Sequence, residues 1–179
     1  MKHQRQLGFE ILDRKSAKYF GGAFLKNSNP KVKRPISTKR SMHLVMRSTR
    51  ATGFQSFLKK DKRIRELIAV QASFFGVKIY MQANGGNHLH LIILPRSRDA
   101  FNGFVRAITG LIARVVLGVE RGSPKCIKFW DKRPFTRIIE WGREFRYVCG
   151  YLLQNTLEAL GFIPYCPRTS RYKLLESTA

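Results

Sequence analysis

Val77-Lys78-Ile79-Tyr80-Met81, then Asn84-Gly85-Gly86-Asn87, then His88-Leu89-His90-Leu91-Ile92-Ile93-Leu94: two runs rich in β-branched and large apolar residues flank a tetrapeptide of turn formers. Asn and Gly tolerate the positive φ angles that tight turns require, so the segment reads as two strands joined by a turn. The second run is apolar at successive positions after His90. A strand that is apolar on both faces belongs in the middle of a sheet.

On the N-terminal side, Ile64, Leu67, Ile68, Ala72 and Phe75 recur at helical spacing. Asp61 is placed to cap that helix and Gly76 to stop it. Before it, Met42 to Arg47 reads as a short strand. On the C-terminal side, a second helix is expected from Asp99 to about Val116, with Phe101, Phe104, Val105, Ile108, Leu111, Ile112 and Val115 on one stripe. Pro134 to Trp141 reads as a fourth strand. A third helix runs from roughly Arg143 to Leu160, closed by Gly161 and followed by Pro164. The order is βαββαβ plus one helix. It implies an α+β, ferredoxin-like antiparallel sheet with helices on one face and an added C-terminal helix.

The chain has 179 residues, one domain's worth with tails, and 44% hydrophobic residues supply a core. Lys and Arg number 34 against 11 Asp and Glu, a formal charge of +23. A charge of that size calls for a polyanionic partner, nucleic acid before a membrane surface. From Arg14 to Lys60 there are thirteen Lys or Arg and no acid. Residues 1–39 therefore read as a basic arm, 40–162 as the folded unit and 163–179 as a tail. Phosphate contacts are expected among Lys31, Lys33, Arg34, Lys39 and Arg40, joined by Arg133 and Arg137. Cys126, Cys149 and Cys166 are widely spaced and contain no C-x-x-C, which argues against a disulfide scaffold or a cysteine-rich zinc module. No apolar run of membrane-spanning length and no secretion signal stand out, so a cytoplasmic, nucleoid-associated protein is expected.

His88 and His90 stand two apart on a strand and therefore project to the same face. Paired neutral imidazoles suit a divalent metal. They also suit a plainer role, as histidines alternating with apolar residues, although two polar rings on a buried strand are costly unless satisfied. On the third helix Tyr147, Tyr151 and Asn155 lie along one stripe beside the packing residues Phe145, Val148 and Leu152. A tyrosine and an amide one turn apart offer a nucleophile and an oxygen ligand; amphipathic packing explains the same spacing. His43, on the first strand, could face the same site but is expected to be structural.

Asn87-His88-Leu89-His90-Leu91-Ile92 on a central strand, followed some sixty residues later by Tyr151-Leu152-Leu153-Gln154-Asn155 on a helix, resembles the single-tyrosine HUH transposases. Within that superfamily the likeness is to the REP-associated tyrosine transposases and their insertion-sequence relatives. The segments Arg133 to Trp141 and Asn155 to Gly161 share the resemblance, which covers roughly residues 40–162. It implies a DNA endonuclease–ligase acting on single-stranded or hairpin DNA, commonly as a homodimer. His88 and His90 would hold Mg²⁺ or Mn²⁺, with Asn155 as third ligand and Tyr151 as the nucleophile that forms a 5′-phosphotyrosine. Many relatives carry Gln four residues after the tyrosine; here Asn155 occupies that position and Gln154 precedes it, which makes Gln154 the second choice. Tyr147 is the alternative nucleophile. Phenols ionise only near pH ~10, so nearby cations would favour the reactive phenolate.

Three other readings compete. RNA-recognition modules share the βαββαβ order, but the aromatic RNP pattern is absent from the third strand. A domesticated relative that binds hairpin DNA without cutting it retains every feature described. A small-molecule hydrolase sits poorly with the charge.

Overall fold

A computed structural model describes residues 19–21, 33–120 and 128–166. Lys31, Cys126 and most of the basic arm and tail lie outside the described residues. The strands are β1 (Phe20–Gly21), β2 (Ser41–Arg47), β3 (Val77–Asn84), β4 (His88–Pro95) and β5 (Phe135–Ile139). The helices are α1 (Asp61–Phe75), α2 (Arg98–Leu117) and α3 (Arg143–Ala159). The sheet is antiparallel throughout, in the order β1-β5-β2-β4-β3. From β2 onward this is the ferredoxin-like arrangement, with β4 in the interior as its double-sided apolarity requires. The short strand β1, which among the described residues pairs with β5 alone, is an addition that the hydrophobic pattern does not announce.

Period-two alternation divides the central strands between two cores. Met42, Leu44 and Met46 of β2 and Leu89, Leu91 and Ile93 of β4 face α1 and α2, packing with Ile64, Ile68, Phe101, Phe104, Ile108 and Ile112. Their alternates face the other way. There Ala83, Ile92 and Ile139 meet Val148 and Leu152 of α3, with Tyr80, Met81 and Phe145 at the margin. The expectation of helices on one face therefore holds for α1 and α2, while α3 covers the opposite face.

A bulge in β3 makes this second core possible. Ile79 pairs with Ile93 and Met81 with Ile92, so Tyr80 is an extra residue without an opposite number. A one-residue insertion switches every later side chain to the other face. Val77 and Ile79 consequently sit on the α1/α2 side, whereas Tyr80, Met81 and Ala83 sit under α3. Tyr80, Trp141 and Phe145 then close an aromatic cluster at the start of α3, with ring centroids 5.0 to 5.6 Å apart.

Two local expectations need correction. Asp61 is not the cap of α1: Lys60 holds that position after a 3-10 turn over Phe57–Lys60. The Asp61 carboxylate instead accepts hydrogen bonds from Arg65 at 2.6 Å and Asn84 at 2.7 Å. Gly76 does stop the helix, at φ 66° in the left-handed region. Second, α2 is long and apolar enough by length and composition to cross a membrane, contrary to the first reading of the sequence. In this fold its stripe is used against the sheet and α1, with Phe101, Phe104, Ile108, Ile112 and Val116 buried. Its N-terminus is capped by Ser97, whose hydroxyl accepts from the Ala100 N–H at 3.0 Å.

The α3 core is small, so each residue in it matters. Leu152 has no exposed surface, and Leu152→Ala is expected to cost about 3 kcal/mol from lost burial and the cavity left behind. Urea unfolding followed by circular dichroism measures that loss.

Candidate active site

The face of the sheet beneath α3 carries three histidines. His43 of β2 and His88 and His90 of β4 all alternate with residues of the α1/α2 core, so they project toward α3. His43 Nε2 lies 2.9 Å from His90 Nδ1, and the two rings stack with centroids 5.1 Å apart at 19°. Both are buried, His43 at 8% and His90 at 3% exposure. His88 stands edge-on to His90 with centroids 4.8 Å apart, and its Nδ1 is 2.8 Å from the Asn87 side-chain oxygen.

The turn before β4 is shaped to admit the His88 ring. A Cβ added at Gly85 would overlap Cε1, Nε2 and Nδ1 of His88. Only a glycine lets the imidazole lie against the backbone there. The turn is closed by the Gly85 N–H donating to the His88 carbonyl at 2.9 Å and the Gly86 N–H donating to the Asn84 side chain at 3.0 Å.

α3 delivers the tyrosine. Val148 and Leu152 bury the helix on the sheet, and the neighbouring stripe then hangs Tyr151 over β4. Its ring meets His90 edge to face, centroids 5.8 Å apart at 87°. Tyr147, one turn earlier, is 48% exposed. Phe145 packs on Tyr80 and Tyr151 on His90, so the helix advances along β4 toward its His88 end, and Asn155 follows one turn farther on. The Asn155 amide nitrogen is buried without a hydrogen-bond partner among the described residues, a condition that costs about 1–3 kcal/mol. A Gln82 amide nitrogen is in the same state, but its pairing with Leu91 puts it on the other face. Gln154 is half-buried.

Sequence reasoning thus brought together His88, His90 and Tyr151; His43, which could face the site from the first strand, does so in direct contact with His90. The same alternation that singled out His88 and His90 sends His43 to their face. The pairing of β2 with β4 that makes them touch is not written in either strand. Among the described residues, no group of three or more His, Cys, Asp or Glu is placed to hold a metal ion. A donor set here would be imidazole plus amide. Cys149 on α3 has its thiol pushed above its usual range by burial, which keeps it protonated and unreactive at neutral pH.

The expected phosphate contacts are dispersed. Lys33, Lys39 and Arg133 are exposed. Arg137 shares the histidine face, opposite His43 in register, but pairs with Glu144. Arg40 pairs with Glu140 and lies over the Tyr19 ring at 5.3 Å. Arg34 lies on the α2 side, over Phe101 at 5.6 Å. Burial foremost, and then the nearby Arg133 charge, hold its guanidinium below the ordinary range.

Comparison with known proteins returns no matching family model and no matching curated protein. Among solved structures, the fold is similar to a REP-associated tyrosine transposase determined bound to a REP hairpin, with a TM-score of 0.57 at 15% identity over 73% of this chain and 74% of that one. A candidate transposase from Deinococcus radiodurans R1 is also similar, at 13% identity with a TM-score of 0.40 over 74% of this chain and 98% of that one.

Proposed function

We propose that this chain, which has the fold of a REP-associated tyrosine transposase, is a DNA strand transferase with Tyr151 as nucleophile. The observation that carries the proposal is the Tyr151 ring seated across His90, beside His88, on the one face that also holds His43. A charge of +23 supports DNA as the substrate. The neighbour solved with a REP hairpin supports a single-stranded or hairpin form of it.

In the reaction proposed, the Tyr151 hydroxyl loses its proton and its oxygen attacks a backbone phosphorus. The bond from phosphorus to the 3′ oxygen breaks, and that oxygen leaves with the electron pair and takes up a proton. The products are a free 3′-hydroxyl and a 5′-phosphotyrosine. A later 3′-hydroxyl attacks the same phosphorus, displaces the Tyr151 oxygen and restores a phosphodiester, so ATP is not consumed.

The donors fit a divalent cation. Two imidazoles on one face are ligands for divalent first-row metals, and the side-chain oxygen of Asn155 or Gln154 adds the harder donor that Mn²⁺ or Mg²⁺ takes. His88, His90 and Asn155 would hold it, with Gln154 as the substitute for Asn155. When bound there, the cation supplies Lewis-acid polarisation of the scissile phosphate. His43 engages Nδ1 of His90 and so directs Nε2 to serve as the ligating nitrogen. Gly85 keeps the His88 ring in place. Gly85→Ala is expected to swing that ring and weaken Mn²⁺ binding by about tenfold or more, measured by titration calorimetry on DNA-free protein.

The test is incubation with labelled single-stranded hairpin DNA from the flanks of the chain's own gene, with Mg²⁺ or Mn²⁺ and with EDTA. A denaturing gel should show a protein–DNA adduct that requires the metal. Tight binding to several hairpins with no adduct would instead identify a non-cutting hairpin binder.

A further inference from the structure

We infer that Phe54 is a stacking platform for an unpaired nucleobase, a contact that rests on the reading that this chain works on single-stranded DNA. Phe54 lies in the 3-10 turn Gly53–Gln55, and 94% of its surface is exposed, more than any other large apolar side chain described. A phenyl ring left in water forgoes the burial that stabilises Phe57, Phe101 and Phe104 in the core.

The mount beneath this ring is well fixed. Within the turn, the Gln55 N–H donates to Thr52 at 3.0 Å and the Ser56 N–H to Gly53 at 3.2 Å. The Phe57 N–H donates to the Gly86 carbonyl at 2.8 Å, and the Ser56 hydroxyl donates to the same oxygen at 3.3 Å. Phe57 itself is fully buried. Phe54 is therefore held out from a support tied to the hairpin tip, two residues before His88.

The surroundings specify the chemistry of the occupant. Arg50, Lys59 and Lys60 are exposed on this loop and form no ion pair among the described residues. The nearby carboxylates are engaged: Asp61 by Arg65 and Asn84, Asp131 by both the amide and the hydroxyl of Thr49. An aromatic face among uncompensated cations matches a base on the ring and its phosphates on the lysines and arginine. A second apolar protein surface would leave those charges facing it without partners.

The experiment uses the full chain in EDTA and single strands carrying 2-aminopurine at successive positions. Quenching is expected at one or two positions with wild-type protein, retained in Phe54→Trp and lost in Phe54→Ala and Phe54→Leu. Phe54→Ala should weaken single-strand binding by about five- to hundredfold. Its salt slope should not change, because no phosphate contact is removed. Duplex of the same sequence should bind equally to wild-type and Phe54→Ala protein. Equal single-strand affinity in both proteins would overturn the inference. So would an equal loss on duplex, or a change of oligomeric state with DNA binding intact. The covalent reaction is read separately: an adduct with metal but no Phe54-dependent quenching defeats only the stacking, and quenching without any adduct defeats only the strand-transfer chemistry.

Discussion

Tyr151→Phe is expected to eliminate the covalent protein–DNA adduct while leaving DNA affinity and fold in place. The phenylalanine ring can keep the edge-to-face packing on His90 that positions Tyr151, so only the attacking oxygen is lost. Stability should stay within about 1 kcal/mol of wild type, the scale of one hydroxyl's hydrogen bond. No other group replaces a nucleophile, so the loss of adduct should be complete rather than graded. Tyr147→Phe is the matched control. Tyr147 is also a helical tyrosine but is nearly half exposed, and its variant should form adduct at close to the wild-type level. Adduct persisting in Tyr151→Phe and vanishing in Tyr147→Phe would keep the chemistry and move the nucleophile by one turn.

The second large effect concerns the histidines, and it is graded. His88→Ala and His90→Ala each remove a proposed ligand and should bring Mn²⁺ binding below detection in calorimetry or in the electron paramagnetic resonance of free Mn²⁺. His43→Ala removes no ligand. It removes the partner 2.9 Å from His90 Nδ1, and losing such a supporting bond typically costs about 10- to 100-fold in metal affinity. His43→Gln, which restores a side-chain hydrogen-bonding group, should recover part of that loss. A simple packing role predicts a different pattern, in which His43→Ala lowers the melting temperature and leaves Mn²⁺ affinity unchanged.

Much of this architecture was legible because short-range physics fixes it. The hairpin from Val77 to Leu94 follows from β-branched runs around Asn and Gly, and α1 ends where Gly76 adopts a left-handed φ. His88 and His90 share a face because a strand alternates. What escaped the sequence depends on contacts between distant residues. His43 touches His90 only because β2 and β4 are neighbours, a fact of sheet order rather than of either strand. The side on which α3 packs depends on the bulge at Tyr80, and Tyr80-Met81 carries no Gly or Pro to mark it. Arg40 and Arg137 read as phosphate contacts, and their ion pairs with Glu140 and Glu144 come from the fold rather than from any local pattern. Asp61 has the chemistry of a cap, yet after the preceding 3-10 turn Lys60 holds the cap position and Asp61 falls in the first turn of the helix.

Peptide mapping of the trapped adduct tests the central claim most directly. The adduct formed with Mn²⁺ is digested with nuclease to leave a nucleotide remnant, then with trypsin, and the peptide from Tyr147 to Arg168 is fragmented in the mass spectrometer. The account predicts the remnant's mass on Tyr151, and none on any residue when EDTA replaces the metal. A remnant on Tyr147 or Tyr165, or one that forms equally well in EDTA, would contradict it.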